Sequence, residues 1–122
     1  DNPPVIIDAA HNGDSARRLA EAVRQCYPGT HFICVLGSVP GKDVTRIAEA
    51  LKPMDAEYIL TNPDTARGSA LPQLQEAAAR AGLKIRAVIP HIASKNDLPP
   101  NEPLLFTGSF FTALIGEELW NR

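Results

Sequence analysis

The chain has 122 residues, 44% hydrophobic and 21% charged, which is enough for one buried core and too little for two comfortable domains. Its formal net charge of −2 excludes a broad basic face for nucleic acid or an anionic membrane, so any anion must be held locally. The longest apolar runs are strand-length, well short of the roughly 20 residues of a membrane helix, and no signal-like segment opens the chain, so a cytoplasmic location is expected.

Residue 1 is Asp, Met54 is the single methionine, and Asn2-Pro3-Pro4 reads as the end of a linker, so a fragment of a longer protein is expected. Residues 5–8 form a short buried strand, followed by the polar run Asp8-Ala9-Ala10-His11-Asn12-Gly13-Asp14. Over 15–25, Ala16, Leu19, Ala20 and Val23 share one helix face and Arg17, Arg18, Glu21 and Arg24 the other, until Tyr27-Pro28-Gly29 stops the helix. A second strand spans 31–36, Gly37 opens a loop, and a helix covers 43–51. A third strand over 57–60 leads through the loop 61–68 to a helix at 71–81, which Gly82 ends. A fourth strand at 84–89, a turn at 99–103, a fifth strand at 104–107 and a closing helix at 109–120 complete the order. Cys26 and Cys34 fall on apolar faces without a CxxC spacing, which predicts two buried free thiols.

This alternation predicts an α/β fold: an open, mostly parallel, Rossmann-like sheet of five or six strands with helices on both faces. Ligands of such sheets sit outside the carboxyl ends of the strands. The polar residues there are Asp8, His11 and Asn12; Gly37, Lys42 and Asp43; Thr61, Asn62 and Arg67; Thr107, Gly108 and Ser109. Each has a plainer role open to it. Asp8 can close a turn, Asp43 and Ser109 can cap the helices they precede, and Arg67 can be a solvated loop charge. His11 differs from His31 and His91, which read as structural, because it stands at a strand end beside two other polar side chains. Near a helix start, its neighbourhood favours a phosphate or a carboxylate.

No G-x-x-x-x-G-K-[ST] or G-x-G-x-x-G loop is present, so the chain can supply only part of a nucleotide site. No Cys or His cluster has metal-ligand spacing, and no G-x-S-x-G elbow occurs.

Asp8-Ala9-Ala10-His11-Asn12 resembles the D-G-A-H-N motif that opens the C-terminal domain of folylpolyglutamate synthases and dihydrofolate synthases, in the Mur ligase superfamily. Val35-Leu36-Gly37 with Lys42-Asp43 resembles that family's second-strand end and K-D helix start. Leu105-Phe106-Thr107-Gly108-Ser109-Phe110-Phe111 resembles its V-T-G-S-L-Y, so the likeness spans essentially the whole chain.

The resemblance implies one Mur-ligase-type C-terminal domain over residues 1–122, detached from a central domain carrying the ATP-binding loop and the Mg²⁺ ligands. It implies an ATP-dependent ligase that joins L-glutamate to a reduced folate through an acyl phosphate, acts as a monomer, and needs neither nucleic acid nor membrane. By position it gives Asp8 and Asn12 to ATP, with Asn12 orienting the loop. His11 is given to catalysis and glutamate, Ser109 to glutamate, and Lys42 and Arg67 lesser parts. Departures are Ala9 for Gly, Gly13 where Pro is common, a short Pro-rich stretch over 90–103, and Phe110-Phe111 for Leu-Tyr. Two alternatives stay open: another Mur-type ligase acting on a muramoyl peptide, and a non-catalytic receiver-like module.

Overall fold

The computed structural model describes residues 3–63 and 68–120. Strands and helices alternate: β1 (Val5–Ile7), α1 (Gly13–Cys26), β2 (Phe32–Leu36), α2 (Val44–Leu51), β3 (Ala56–Leu60), α3 (Leu71–Ala81), β4 (Ile85–Val88), β5 (Leu104–Thr107) and α4 (Phe110–Trp120), with a short 3₁₀ turn at Lys95–Asp97. The five strands form one sheet in the order β1-β5-β2-β3-β4, and every pairing is parallel. The 90–103 stretch, Pro-rich in sequence, holds that 3₁₀ turn and no α-helix.

Side chains of the central strands alternate between two cores, as the pleat requires. Phe32, Cys34 and Leu36 of β2, Tyr58 and Leu60 of β3 and Leu105 of β5 face the apolar stripes of α1, α2 and α3. Ile33 and Val35, Ile59, Leu104 and Phe106 face the other way, against Ile92, Leu98 and the α4 residues Ile115, Leu119 and Trp120. Helices thus cover both faces, three on one and one on the other. Gly116 lets α4 lie close on the sheet, since a Cβ there would come within 2.9 Å of the Phe106 ring and 3.0 Å of Ile7.

Of the two cysteines, Cys34 meets the expectation of a buried free thiol and Cys26 does not. Cys34 is fully buried, and burial pushes its thiol pKa up. Cys26 is exposed. The place beside Phe32 at the end of the α1 stripe is taken by Tyr27, whose ring meets that of Phe32 edge-on at 5.5 Å.

At the amino-terminal end of the sheet, His31 joins two strands electrostatically, a structural role as its sequence context suggested. Its Nδ1 lies 2.7 Å from Asp55 Oδ1 and its Nε2 2.7 Å from Glu57 Oε2. The hydrogen bond to Asp55, then that to Glu57, raises the His31 pKa, and the same imidazole lowers that of Glu57. The His31 contribution to stability is therefore complete below its unfolded value near 6.5 and disappears as pH rises through the raised one. Glu57 contributes above its unfolded value near 4.5 and loses this as pH falls through the lowered one. Thermal melts of His31→Gln against the parent should differ most between about pH 5 and 6.5 and converge toward pH 9. An equal difference at both ends would remove the ion-pair account.

Candidate functional site

The site grows from the loops that leave the carboxyl ends of β1, β2 and β5. After β1, the Asp8 N–H extends the ladder by donating to the Phe106 carbonyl at 3.0 Å. The half-buried Asp8 carboxylate turns the chain at once, accepting the Ala10 N–H at 2.8 Å. That turn delivers His11 to the surface with its Nδ1 3.2 Å from the Ala9 carbonyl. A carbonyl only accepts, so Nδ1 carries a hydrogen and Nε2 is the ring atom without a partner among the described residues. Asn12 caps α1: its Oδ1 accepts the Ser15 N–H at 2.8 Å and the Ser15 hydroxyl at 2.9 Å. The amide NH₂ of Asn12 is what remains for a ligand. Gly13 opens the helix where a Cβ would sit 2.9 Å from the Arg46 Cβ on α2, which accounts for the smallest residue there.

After β5, Gly108 adopts φ 108°, a conformation that L side chains rarely reach. Its N–H donates to the Ala10 carbonyl at 3.0 Å, tying the first loop to the last, and a Cβ on it would lie 2.2 Å from the Gly37 carbonyl oxygen. Ser109 then caps α4, its Oγ accepting the Thr112 N–H at 3.0 Å. Asp43 caps α2 in the same way, with the Arg46 N–H 3.2 Å from its Oδ1, and leaves the exposed Lys42 beside the loop.

These loops border an open cavity of about 420 Å³ lined by Ala9, His11, Val39, Lys42, Ser109, Phe110 and Phe111. The fold therefore brings together His11, Lys42 and Ser109. Asp8 and Asn12 stand on the adjoining turn, outside the lining, and Arg67 lies outside the described residues. A cavity of about 470 Å³ at the opposite end of the sheet, between Pro3, Val5, Pro99 and Trp120, holds none of the candidate residues.

Among the described residues, Ser38 Oγ, Asn62 Oδ1 and Thr107 Oγ1 are buried without a hydrogen-bond partner. They fall at the carboxyl ends of β2, β3 and β5, where unpaired buried polar atoms are uncommon enough to mark a site. Sequence reasoning passed over Ser38 and named Phe110 only within a motif, without a role of its own. Phe110 is 61% exposed at the cavity edge, and its signal was a bulky aromatic in the first helical position behind a Ser cap. No group of three or more His, Cys, Asp or Glu among the described residues could hold a metal ion.

Three capped helix starts, those of α1, α2 and α4, thus gather with His11 and Lys42 at the carboxyl edge of a parallel α/β sheet, the edge at which such sheets hold their ligands. The chain belongs to the family described as Mur ligase, glutamate ligase domain, which it matches over residues 1–110. It is 32% identical over 115 residues to the folylpolyglutamate synthase of Lacticaseibacillus casei, covering 93% of this chain and 26% of that protein. It superposes on the Mycobacterium tuberculosis folylpolyglutamate synthase in complex with ADP and AMPPCP with a TM-score of 0.82 and 26% identity, covering 97% of this chain and 30% of that one. The Thermotoga maritima folylpolyglutamate synthase shares the fold, with a TM-score of 0.81 at 21% identity over 93% of this chain and 27% of that one. The chain thus spans between a quarter and a third of the length of these relatives.

Proposed function

We propose that this chain is the C-terminal part of an ATP-dependent ligase that joins glutamate to a folate carboxylate. The carrying observation is the cavity that sets His11, Lys42 and Ser109 against the start of α4, in a member of the glutamate ligase domain family. In the reaction, an oxygen of the folate carboxylate takes the γ-phosphoryl group of ATP, and ADP leaves. The glutamate amine then attacks the carbonyl carbon, the bond to phosphate breaks, and the nitrogen loses a proton as the amide forms. Activation in this way replaces an oxide leaving group by phosphate.

Within that reaction Asp8 accepts ribose hydroxyls through the oxygen its turn does not use, and Asn12 steadies the loop. Nε2 of His11, charged when protonated, meets the negative oxygens of the acyl phosphate or the incoming carboxylate. Lys42 adds positive charge at the rim, Arg67 a further one, and Ser109 contacts glutamate. The remainder of the protein supplies the phosphate-cradling loop and the Mg²⁺ ligands and closes over this face.

ADP release by the full-length protein with ATP, Mg²⁺ and glutamate tests this, with tetrahydrofolate, dihydropteroate and a UDP-muramoyl peptide as alternative acceptors. Turnover on a pteridine acceptor is expected, with none from residues 1–122 alone. Turnover only on the muramoyl acceptor would move the protein to another Mur-type ligase. No turnover on any acceptor would leave a binding module.

A further inference from the structure

The direction of the Ser109 hydroxyl is fixed by its surroundings. Thr112 Oγ1 lies 2.9 Å from the Gly37 carbonyl oxygen, which can only accept, so the Thr112 proton is committed to Gly37. Ser109 Oγ lies 2.8 Å from the same Thr112 oxygen. With the Thr112 proton already placed, Ser109 must donate across that contact, because otherwise two lone pairs would face each other at hydrogen-bond distance. Ser109 Oγ also accepts the Thr112 N–H at 3.0 Å. One donor and one lone pair of Ser109 are thereby used, and a single lone pair is left. Both residues are buried, with Thr112 at 0% and Ser109 at 2% exposure, so water competes little for these bonds. The contact also requires glycine at position 37, since a Cβ there would stand 2.7 Å from Thr112 Oγ1.

We propose that Thr112 is a positioning residue that makes Ser109 an acceptor, so that Ser109 receives an N–H of the incoming glutamate amine instead of donating to its carboxylate. This rests on the ligase reading above and refines it. A serine hydroxyl free to rotate can serve either group, but one whose proton is spent cannot hold a carboxylate. An amine or ammonium offers only N–H donors to such an oxygen, and accepting one of them orients the nitrogen. The glutamate carboxylates are then left to Lys42, His11 and the first-turn N–H groups of α4.

Full-length enzyme carrying Ser109→Ala, Thr112→Val or Thr112→Ser separates the possibilities, with glutarate as a competitive probe that keeps both carboxylates and lacks the amine. The expected pattern for Ser109→Ala is a rise in the KM for glutamate of about 10-fold, the scale of one hydrogen bond to a charged group, with the Ki of glutarate within about 2-fold of the parent. Thr112→Val should give the same split, and Thr112→Ser, which keeps the hydroxyl, should keep both constants at the parent's values. A Ki for glutarate that rises in parallel with the KM for glutamate would assign Ser109 to the carboxylate and overturn the proposal. So would equal behaviour of Thr112→Val and Thr112→Ser. Should Thr112→Val fail to fold, Ser109→Ala against glutarate decides alone. Absence of glutamate-dependent ADP release from the parent enzyme would instead remove the ligase reading itself.

Discussion

Full-length enzyme carrying His11→Ala is expected to lose about 10²- to 10³-fold in kcat/KM for glutamate, the range found when one preorganised donor is removed from a developing negative charge. Nδ1 is held by the Ala9 carbonyl at 3.2 Å, so the imidazole is oriented by its own turn and Nε2 is left over. The ring is exposed and makes no other hydrogen bond among the described residues, so the substitution should leave the melting temperature nearly unchanged. Glutamine places an amide N–H near the position of Nε2. His11→Gln should therefore recover part of the loss if a donor suffices and none of it if a positive charge is required. Activity of His11→Ala within about 3-fold of the parent would take His11 out of the chemistry, since even a weak charged hydrogen bond is worth more.

The second large effect is on stability. Gly108→Ala meets two obstacles at once: φ 108°, and a Cβ 2.2 Å from the Gly37 carbonyl oxygen. The obstructing atom is backbone, held in place by the Thr112 hydroxyl, so it cannot swing away. Strain and overpacking together should cost about 3 kcal/mol, or on the order of 10 °C in Tm for a domain of this size. Gly29→Ala is the matched control, because Gly29 also has positive φ, 77°, but nothing within 4 Å of the added carbon. It should cost only about 1 kcal/mol, the conformational part alone. Equal melting temperatures for the two variants would show that the approach of Gly108 to Gly37 does not constrain the fold.

Periodicity carried most of the fold. α3 and β5 have the bounds that spacing predicts, because Gly82 stops the one and the turn before Leu104 starts the other. α1 begins two residues earlier than its apolar stripe, at Gly13, since its cap is Asn12 and an N-terminal first turn needs no apolar residue. Strand β1 ends at Ile7, one residue short of the expected 5–8, because Asp8 makes its turn there, and as an edge strand it is half-buried and not buried as expected. The exposure of Cys26 was hidden because helix spacing puts it near the stripe, whereas only the packing of Tyr27 on Phe32 shows that the place is filled. The site was legible as polar residues following strands. Its hydrogen-bond polarity was not, since nothing in the spacing of Gly37, Ser109 and Thr112 says that their atoms meet.

The sheet order has a consequence for how the protein is made. Among the described residues β1 pairs only with β5, Val5 against Leu104, so the first strand is without that ladder partner until residues 104–107 are available. β2 and β3 join by a nearby crossover and can form earlier. The turn holding Asp8 and His11 meets the turn holding Gly108 and Ser109 through that late pairing and through the Ala10 carbonyl. On a ribosome the turn holding Asp8 and His11 emerges early and the turn holding Gly108 and Ser109 late, with only α4 still to follow among the described elements. The carboxyl edge of β1 and β5 can assemble only after the rest of the sheet stands ready to receive both ends.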